Sequence, residues 1–447
     1  MKVVVCGAGN IGSSLVHFLS LNYEIIVIDV DPKALDDIGS RYDIQTICGS
    51  AADPYILDQA DCNGQTHVIG VTKSDEINLV ACQLSQMFGN VATTIARLEN
   101  PAYFQKAFSG GVTHRFQLGM TFSSHDFYGQ AILGALEYPL SFDALMMAQG
   151  KMLLLGMRIP PLHSWIGQSV GSIQEAHSCL AIARIVHHHS MRIPNPKDVV
   201  RAHDAVYMVV DSVHAGLIYS LWNDWQLPLE SMVFLGSSPA LFSVLPSVVA
   251  KGFKISLLSQ DEDDLLAVSQ KFPSVNLVQG SPVDPALLGK VIDERGCCAV
   301  AIGPEDTTNI LAAAMAQGYG ADHRMACIEN LHYMSPLCIS GIGQMVHSAP
   351  RILTSILQKV TQRPMDMVYP LQGLFTGTIL QAMVQPGSKI AGTFCSDWQT
   401  NRSCILALYR GKEWIWHPER IAAGDCVMAT ALPDGYEIFK QAFFAPE

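Results

Sequence analysis

The chain has 447 residues, 49% of them apolar, and a formal charge of −12 with no run of lysine and arginine. That length predicts more than one domain with ample core. The acidic balance excludes nucleic acid as the main ligand, and no nucleic-acid partner is expected. The twelve cysteines include no C-x-x-C pair and no zinc spacing, so no metal site is expected; they read as reduced core residues of a cytosolic protein. The first apolar run, VVVC, meets Gly7 too soon for a signal peptide. No uncharged apolar run reaches the roughly 18 residues of a membrane span.

Val3 to Cys6 read as a short buried strand, and from Ile11 the apolar positions Ile11, Leu15, Phe18 and Leu19 follow helical spacing. Between them lies GAGNIG, a G-x-G-x-x-G motif in the strand–turn–helix context that dinucleotide binding requires. Gly7 permits the turn, Gly9 lets the backbone approach a pyrophosphate, and Gly12 lets helix and strand pack closely. The helix start then offers N–H groups and a positive dipole end to phosphates. The second strand, EIIVID, ends at Asp29, 22 residues after Gly7. A carboxylate there can accept hydrogen bonds from the adenosine ribose and would repel a 2′-phosphate.

The alternation continues with strands at Ile44–Cys48, His67–Val71 and Thr93–Arg97, and with a helix starting near Asp75. Ligands in such folds bind outside the carboxyl ends of the strands. Thr72, Lys73 and Arg97 stand at two of those ends. Arg97 closes an apolar strand, where it could face phosphate; the alternative is a surface arginine paired with Glu99. Lys73 could equally be a solvated lysine.

The unit then repeats. GSAADPYIL at 49–57 recurs as GSPVDPALL at 280–288, and SDEINLVACQLSQMFG at 74–89 as EDTTNILAAAMAQGYG at 305–320, both offset by 231. Asn78 matches Asn309, and ARLENPAYF at 96–104 matches ACIENLHYM at 326–334, offset by 230. More faintly, PKDVVRAHDAVYMVV at 196–210 matches PERIAAGDCVMATAL at 418–432. The expected fold class is α/β, a tandem duplication in which each Rossmann-like domain precedes a small α+β domain. The expected boundaries are 1–121 and 140–222 for the first pair, with a crossover helix at 122–139, and 230–347 and 364–446 for the second pair. The second copy reads MVFLGSSPALF, with Pro239 among bulky side chains, Ser259 in place of Asp29 and Cys327 in place of Arg97. Its ligand chemistry is expected to be lost.

The run GAGNIG, VIDVD, GSAADPYIL, VTKSDEINLVACQL, IARLENPAY resembles the RCK (KTN) domain of potassium-transport regulators. The resemblance covers essentially the whole chain and is stronger in the first half. It implies a cytoplasmic regulator, peripheral at the membrane, rather than an enzyme. It implies binding of NAD(H), with ATP or ADP able to use the same cleft. It also implies a ring, commonly a tetramer of two-unit chains, under a membrane potassium-translocating subunit of the TrkH/TrkG type. By that resemblance Gly7, Ala8, Gly9, Asn10, Ile11, Gly12, Asp29, Thr72, Lys73 and Arg97 hold the nucleotide. A regulator of a different transporter would keep the same fold and cofactor. An oxidoreductase is the rival class, but it needs an acid/base beside the nicotinamide, and no such constellation is evident in the small domain.

Three other features read as structural. His187, His188 and His189 are consecutive near a strand end, where alternate side chains diverge, so they form a polar turn rather than a metal site. Trp414 and Trp416 share one face of a strand and pack in a core or interface. Asp36 and Asp37 mark a solvated helix end.

Overall fold

The computed structural model describes residues 2–20, 23–104, 111–187, 190–222, 229–292, 296–329, 333, 342–361, 367–371, 377–432, 435, 438–439 and 442–443. The first sheet holds β1 (Lys2–Cys6), β2 (Glu24–Asp29), β3 (Gln45–Cys48), β4 (Thr66–Gly70), β5 (Thr93–Arg97) and β6 (Met120–Phe122), in the order β3-β2-β1-β4-β5-β6. Every pairing in it is parallel. Val3 to Cys6 and Ile25 to Ile28 are buried, as continuous apolar runs must be when helices cover both faces. Those helices include α1 (Asn10–Leu19), α2 (Pro32–Arg41), α3 (Pro54–Asp58) and α4 (Asp75–Gly89). Sequence starts α2 and α3 in the same way: an aspartate caps the helix and proline follows. Asp31 accepts from the Lys33 N–H at 3.0 Å and Asp53 from the Tyr55 N–H at 2.9 Å. The five expected strands are present to within a residue or so. β6 is additional, because three residues are too short to announce an alternation.

An antiparallel sheet follows: β7 (Ser141–Met147), β8 (Met152–Arg158), β9 (Leu180–His187), β10 (Ser190–Arg192) and β11 (Ala205–Asp211), ordered β10-β9-β11-β8-β7. The second parallel sheet holds β12 (Ser231–Leu235), β13 (Lys254–Ser259), β14 (Asn276–Gln279), β15 (Cys297–Ala301), β16 (His323–Cys327) and β17 (Gln344–Val346). Its order, β14-β13-β12-β15-β16-β17, repeats the first sheet strand for strand. The last sheet holds β18 (Met367–Leu371), β19 (Gly377–Met383), β20 (Ser403–Arg410), β21 (Glu413–Trp416) and β22 (Cys426–Ala431), ordered β18-β19-β22-β20-β21.

The faint match between the tails is carried by chemistry. Asp204 is fully buried; it accepts the Arg201 N–H at 2.8 Å and meets His187 Nδ1 at 2.6 Å. Asp425 does the same work in the second tail. It accepts the Ala422 N–H at 2.6 Å and holds Arg410 through Nε at 2.7 Å and Nη2 at 2.6 Å. So His187 pairs with an aspartate at its strand end; His188 and His189 lie outside the described residues. The two antiparallel sheets share one core, in which Leu154, Ala183 and Tyr207 meet Leu406, Ala407 and Met428. Trp414 and Trp416 pack against it. Arg184 is wholly buried there, donating from Nη2 to the Ala431 carbonyl at 2.5 Å and from Nε to Thr430 Oγ1 at 3.2 Å. Burial lowers its pKa to about 10, so it stays charged at neutral pH.

Two helices break the simple division into halves. The crossover helix Ser124–Glu137 sends Tyr128, Ala131, Ile132, Ala135 and Leu136 into one core with Met232, Phe234, Val244 and Val300 of the second Rossmann module. That spacing is one face of an amphipathic helix. The helix Ala349–Thr361 carries a matching stripe, Ile352, Leu353, Ile356, Leu357 and Val360, all buried. The chain accordingly divides into one compact unit of 1–127 with 351–362 and another of 128–350 with 363–447. Each unit contains a helix from the opposite half of the sequence.

The Arg410–Asp425 pair gives a test with a sign. Burial pushes the Asp425 carboxyl up, but Arg410 and the Ala422 N–H outweigh it and hold its pKa below the ordinary value. Its contribution is therefore present above the unfolded carboxyl pKa and lost as pH falls through the folded one. Arg410→Met strands the buried carboxylate and should cost about 2–3 kcal/mol, below the full price of a buried ion because Arg410 is half-exposed. In that variant the carboxyl pKa rises, so thermal melting should improve between pH 7 and pH 5, where wild type gains nothing. Parallel melting curves for the two proteins would sink this account.

Candidate functional site

The site is built at the carboxyl ends of β2, β1, β4 and β5, where the strand order reverses direction around β1. Gly7 leaves β1 at φ +116°, a conformation that favours glycine, and a Cβ there would lie 3.0 Å from the Thr72 nitrogen. Its N–H donates to the Ile28 carbonyl at 2.8 Å, and the Val71 N–H donates to the Cys6 carbonyl at 2.9 Å. The turn is thus sewn to both neighbouring strands. Gly12 lies in the first turn of α1, where a Cβ would collide with the Gly7 carbonyl oxygen. Gly12 is therefore required by packing.

Gly9 differs. It is the N-cap of α1 at φ −69°, which any residue adopts, and a Cβ on it would meet nothing within 4 Å. It is exposed together with Asn10, while Ile11 is half-buried and Ala8 is buried. Neither backbone strain nor protein packing asks for glycine at this position. Its backbone is open on the outer face of the loop.

Asp29 ends β2, as expected, and its carboxylate is occupied on both oxygens. Oδ2 accepts the Ala8 N–H at 2.6 Å and Oδ1 the Asp31 N–H at 2.9 Å. It therefore shapes the glycine loop itself. Thr72 is bound into the scaffold, its hydroxyl donating to Asn78 Oδ1 at 2.7 Å and approaching the Ser74 carbonyl at 3.2 Å. Lys73 is exposed on the same loop. Arg97 pairs with Glu99, Nε to Oε1 at 2.5 Å, both side chains 21% exposed. The arrangement expected as the alternative for Arg97 is thus present. Asp36 and Asp37 sit in α2 away from this edge, with Asp37 accepting from exposed Arg41 at 2.7 Å.

Three residues that the motif did not point to organise the edge. Asn78, buried in α4, accepts the Thr72 N–H at 2.9 Å and donates to the Thr72 carbonyl at 3.1 Å and the Arg97 carbonyl at 2.9 Å. Asp75 accepts the Glu99 and Asn100 N–H groups, each at 2.8 Å. Glu99 accepts from Ser123 Oγ at 3.0 Å and from the Ser124 N–H, and its Oε2 lies 3.4 Å from His125 Nε2. Burial raises the Glu99 pKa, but Arg97 and His125 outweigh it and hold it below the ordinary value. The available signal for Asn78 was its recurrence at the constant offset. Glu99 was legible only as a partner for Arg97; its bonds to Ser123 and Ser124 gave no signal, since those residues lie 24 and 25 positions away.

The second module keeps the scaffold and fills the cleft. Asn309 accepts the Gly303 N–H at 2.7 Å and donates to the Gly303 and Cys327 carbonyls at 2.8 and 2.9 Å. Asp306 accepts the Glu329 N–H at 2.9 Å. Gly236 keeps φ +87°, but Pro239 now caps the helix. Ser259 is 2% exposed, with its hydroxyl 3.0 Å from that of Ser237, which donates to Asp264 Oδ2 at 2.7 Å. A self-satisfied hydroxyl network occupies the positions of Asp29 and the glycine loop.

Residues 3–116 match the TrkA-N domain. The chain is 21% identical over 455 residues to the Trk system potassium uptake protein TrkA of Vibrio alginolyticus, covering 100% of this chain and 99% of that protein. It is 23% identical to TrkA homolog 2 of Methanosarcina mazei, covering 99% and 100%. Among solved structures, the GsuK RCK domain matches with TM-score 0.56 at 14% identity, over 99% of this chain and 94% of that one. A structure described as the GsuK channel bound to NAD matches with TM-score 0.55 at 15% identity, over 99% and 78%. The fold, two Rossmann modules each continued by a five-stranded antiparallel domain, is similar to that of the GsuK RCK domain. Residues 3–116 thus carry the likeness to the TrkA-N domain, and the chain is similar to TrkA proteins over its full length.

The glycines make opposite predictions. Gly12→Ala forces a backbone collision and should destabilise the first unit by about 1–3 kcal/mol. Gly9→Asn supplies a good N-cap on an open face and should leave the melting temperature within a degree or two of wild type. Differential scanning calorimetry of the two variants checks both; equal losses would remove the distinction drawn between these glycines.

Proposed function

We propose that the protein is a cytoplasmic, nucleotide-binding regulatory subunit that controls potassium uptake through a membrane partner of the TrkH/TrkG type. The observation that carries this reading is the open, unstrained face of Gly9 at the start of α1. It is the approach that a pyrophosphate needs between a glycine loop and a helix N-terminus. The full-length likeness to TrkA proteins supports potassium uptake as the context. The NAD-bound GsuK channel supports NAD(H) as the ligand, with ATP or ADP as the other candidates for the same cleft.

In this reading the Gly7–Gly12 segment takes the pyrophosphate and Asp29 the adenosine ribose. Thr72, Lys73 and Arg97 stand on the opposite wall. This reading keeps the domain boundaries expected from the sequence and places one nucleotide site in the first half and none in the second. The self-bonded Ser237–Ser259–Asp264 group supports that asymmetry. A regulatory rather than catalytic role follows from the repeated antiparallel domain: the same module follows both the intact and the altered cleft, which suits assembly better than substrate binding. The ring would be a tetramer at the cytoplasmic face of the membrane. Among the described residues no helix is long and apolar enough to cross a membrane, so the partner would supply the pore.

The chain's own residues would act by differential contact. A nucleotide shifts a gating equilibrium only as far as its affinities for the two states differ. Asp29 reads the ribose end shared by all the candidate nucleotides, and Arg97 reads the phosphate end where they differ. Calorimetric titration of NADH should return close to one site per chain. Gly9→Asn should weaken that binding at least about tenfold, equivalent to ~1.4 kcal/mol, without loss of fold. In vesicles carrying the membrane partner, the same variant should leave potassium flux insensitive to NADH. Two equal sites per chain, or wild-type affinity in Gly9→Asn, would overturn the reading.

A further inference from the structure

Glu99 bonds at once to the cation at the end of β5 and to the start of the crossover helix, which the β5–β6 pairing brings side by side. Its Oε1 meets Arg97 Nε at 2.5 Å, and its Oε2 takes Ser123 Oγ at 3.0 Å and the Ser124 N–H at 3.1 Å. Oε2 also lies 3.4 Å from His125 Nε2. The backbone beneath it is fixed, because the Glu99 and Asn100 N–H groups are both held by Asp75. The side chain is therefore a short lever on a rigid mount. Ser124 opens a helix that, from Tyr128 onward, belongs to the core of the second Rossmann module, where the Tyr128 hydroxyl donates to the Ile328 carbonyl at 2.6 Å.

The second module supplies an internal comparison. There the residue in place of Arg97 is Cys327, and a histidine joins the corresponding strand end and helix start. His347 Nε2 is 3.0 Å from the Glu329 carbonyl, so that nitrogen is the donor, while His347 Nδ1 accepts the Ala349 N–H at 2.8 Å. Burial lowers the His347 pKa to about 4, so the link is neutral at physiological pH. The arginine that pairs with Glu99 stands in the module whose glycine motif is intact, and a cysteine takes its place in the other.

We infer that Glu99 is the residue through which occupancy of the nucleotide cleft is passed to the crossover helix, by competition between its carboxylate and the nucleotide phosphates for Arg97. This rests on the nucleotide reading above. Arg97 is permanently charged, and a phosphate engages it in place of Glu99. Two effects then act on Glu99 in the same direction. It loses its main countercharge on the cleft side, and it is repelled by the arriving phosphate. Both drive the carboxylate onto the positive helix start, tightening its hold on Ser124 and His125. Glu99 is a positioning residue in this scheme and touches no ligand itself. Its charge also opposes anions, so ligands must compete with it for Arg97.

Hydrogen–deuterium exchange on the full chain tests this, with NADH binding followed in parallel by calorimetry. In wild type, saturating NADH should slow exchange of the 123–127 amides several-fold. Glu99→Gln keeps the shape and removes the charge. It should show faster basal exchange in 123–127 and no NADH-dependent change there, while inorganic pyrophosphate binds about three- to fivefold more tightly because Arg97 is no longer held. If NADH binds wild type but leaves 123–127 unchanged, the link is refuted and the binding site stands. If Glu99→Gln retains the wild-type response, Glu99 is not the link. If NADH fails to bind wild type, the site and the link fall together.

Discussion

One side-chain amide, used twice, holds the functional edge of each Rossmann module together. Asn78 and Asn309 each sit buried in the first turn of a helix and reach the ends of two adjacent strands. An amide can do this because it both donates and accepts, so one residue satisfies a backbone N–H and two carbonyls at a point where the ladder has ended. Each such bond is worth about 1 kcal/mol net, but leaving the buried groups unmatched would cost more. The glycine turn depends on this arrangement, because Gly7 and Gly236 pack directly on the strand-end residues that the asparagines hold, Thr72 and Gly303. The clamp is the same in the module that kept its glycine motif and in the one that lost it. It is therefore a constraint of the fold on which ligand chemistry was later kept or discarded.

Two of the charged groups at the first cleft already have partners. Asp29 is bonded to the loop it would share with a ribose, and Arg97 to Glu99. Ligand binding here is an exchange of partners, so the free energy gained is the difference between two sets of hydrogen bonds. Such a site responds to which ligand is present more than it accumulates affinity. That property suits a sensor, in which discrimination between related nucleotides matters more than tight binding.

Much of this was legible in the sequence. Apolar runs bounded by glycine, aspartate and proline located the parallel strands, and constant offsets revealed the duplication. Asp29 and the glycines stand where the motif places them. What stayed hidden was long-range pairing. Glu99 reads only as a surface partner for Arg97 until β6 brings Ser123 and Ser124 beside it. The crossover helix shows an apolar stripe, but nothing in the stripe says which module it covers. Gly9 and Gly12 look equivalent in the motif, and only the space around each Cβ separates a packing requirement from an approach path.

The exchanged helix has a consequence in time. The first compact unit comprises residues 1–127 together with 351–362. During synthesis the Rossmann strands of that unit emerge early, but the helix that completes it is made only after the intervening chain. At ~5–20 residues per second, the delay is about ten to forty-five seconds. For that interval the unit lacks one of its helices. The first compact unit therefore reaches its full set of elements long after its intact motif has emerged. Its completion is tied to successful translation of nearly the whole chain.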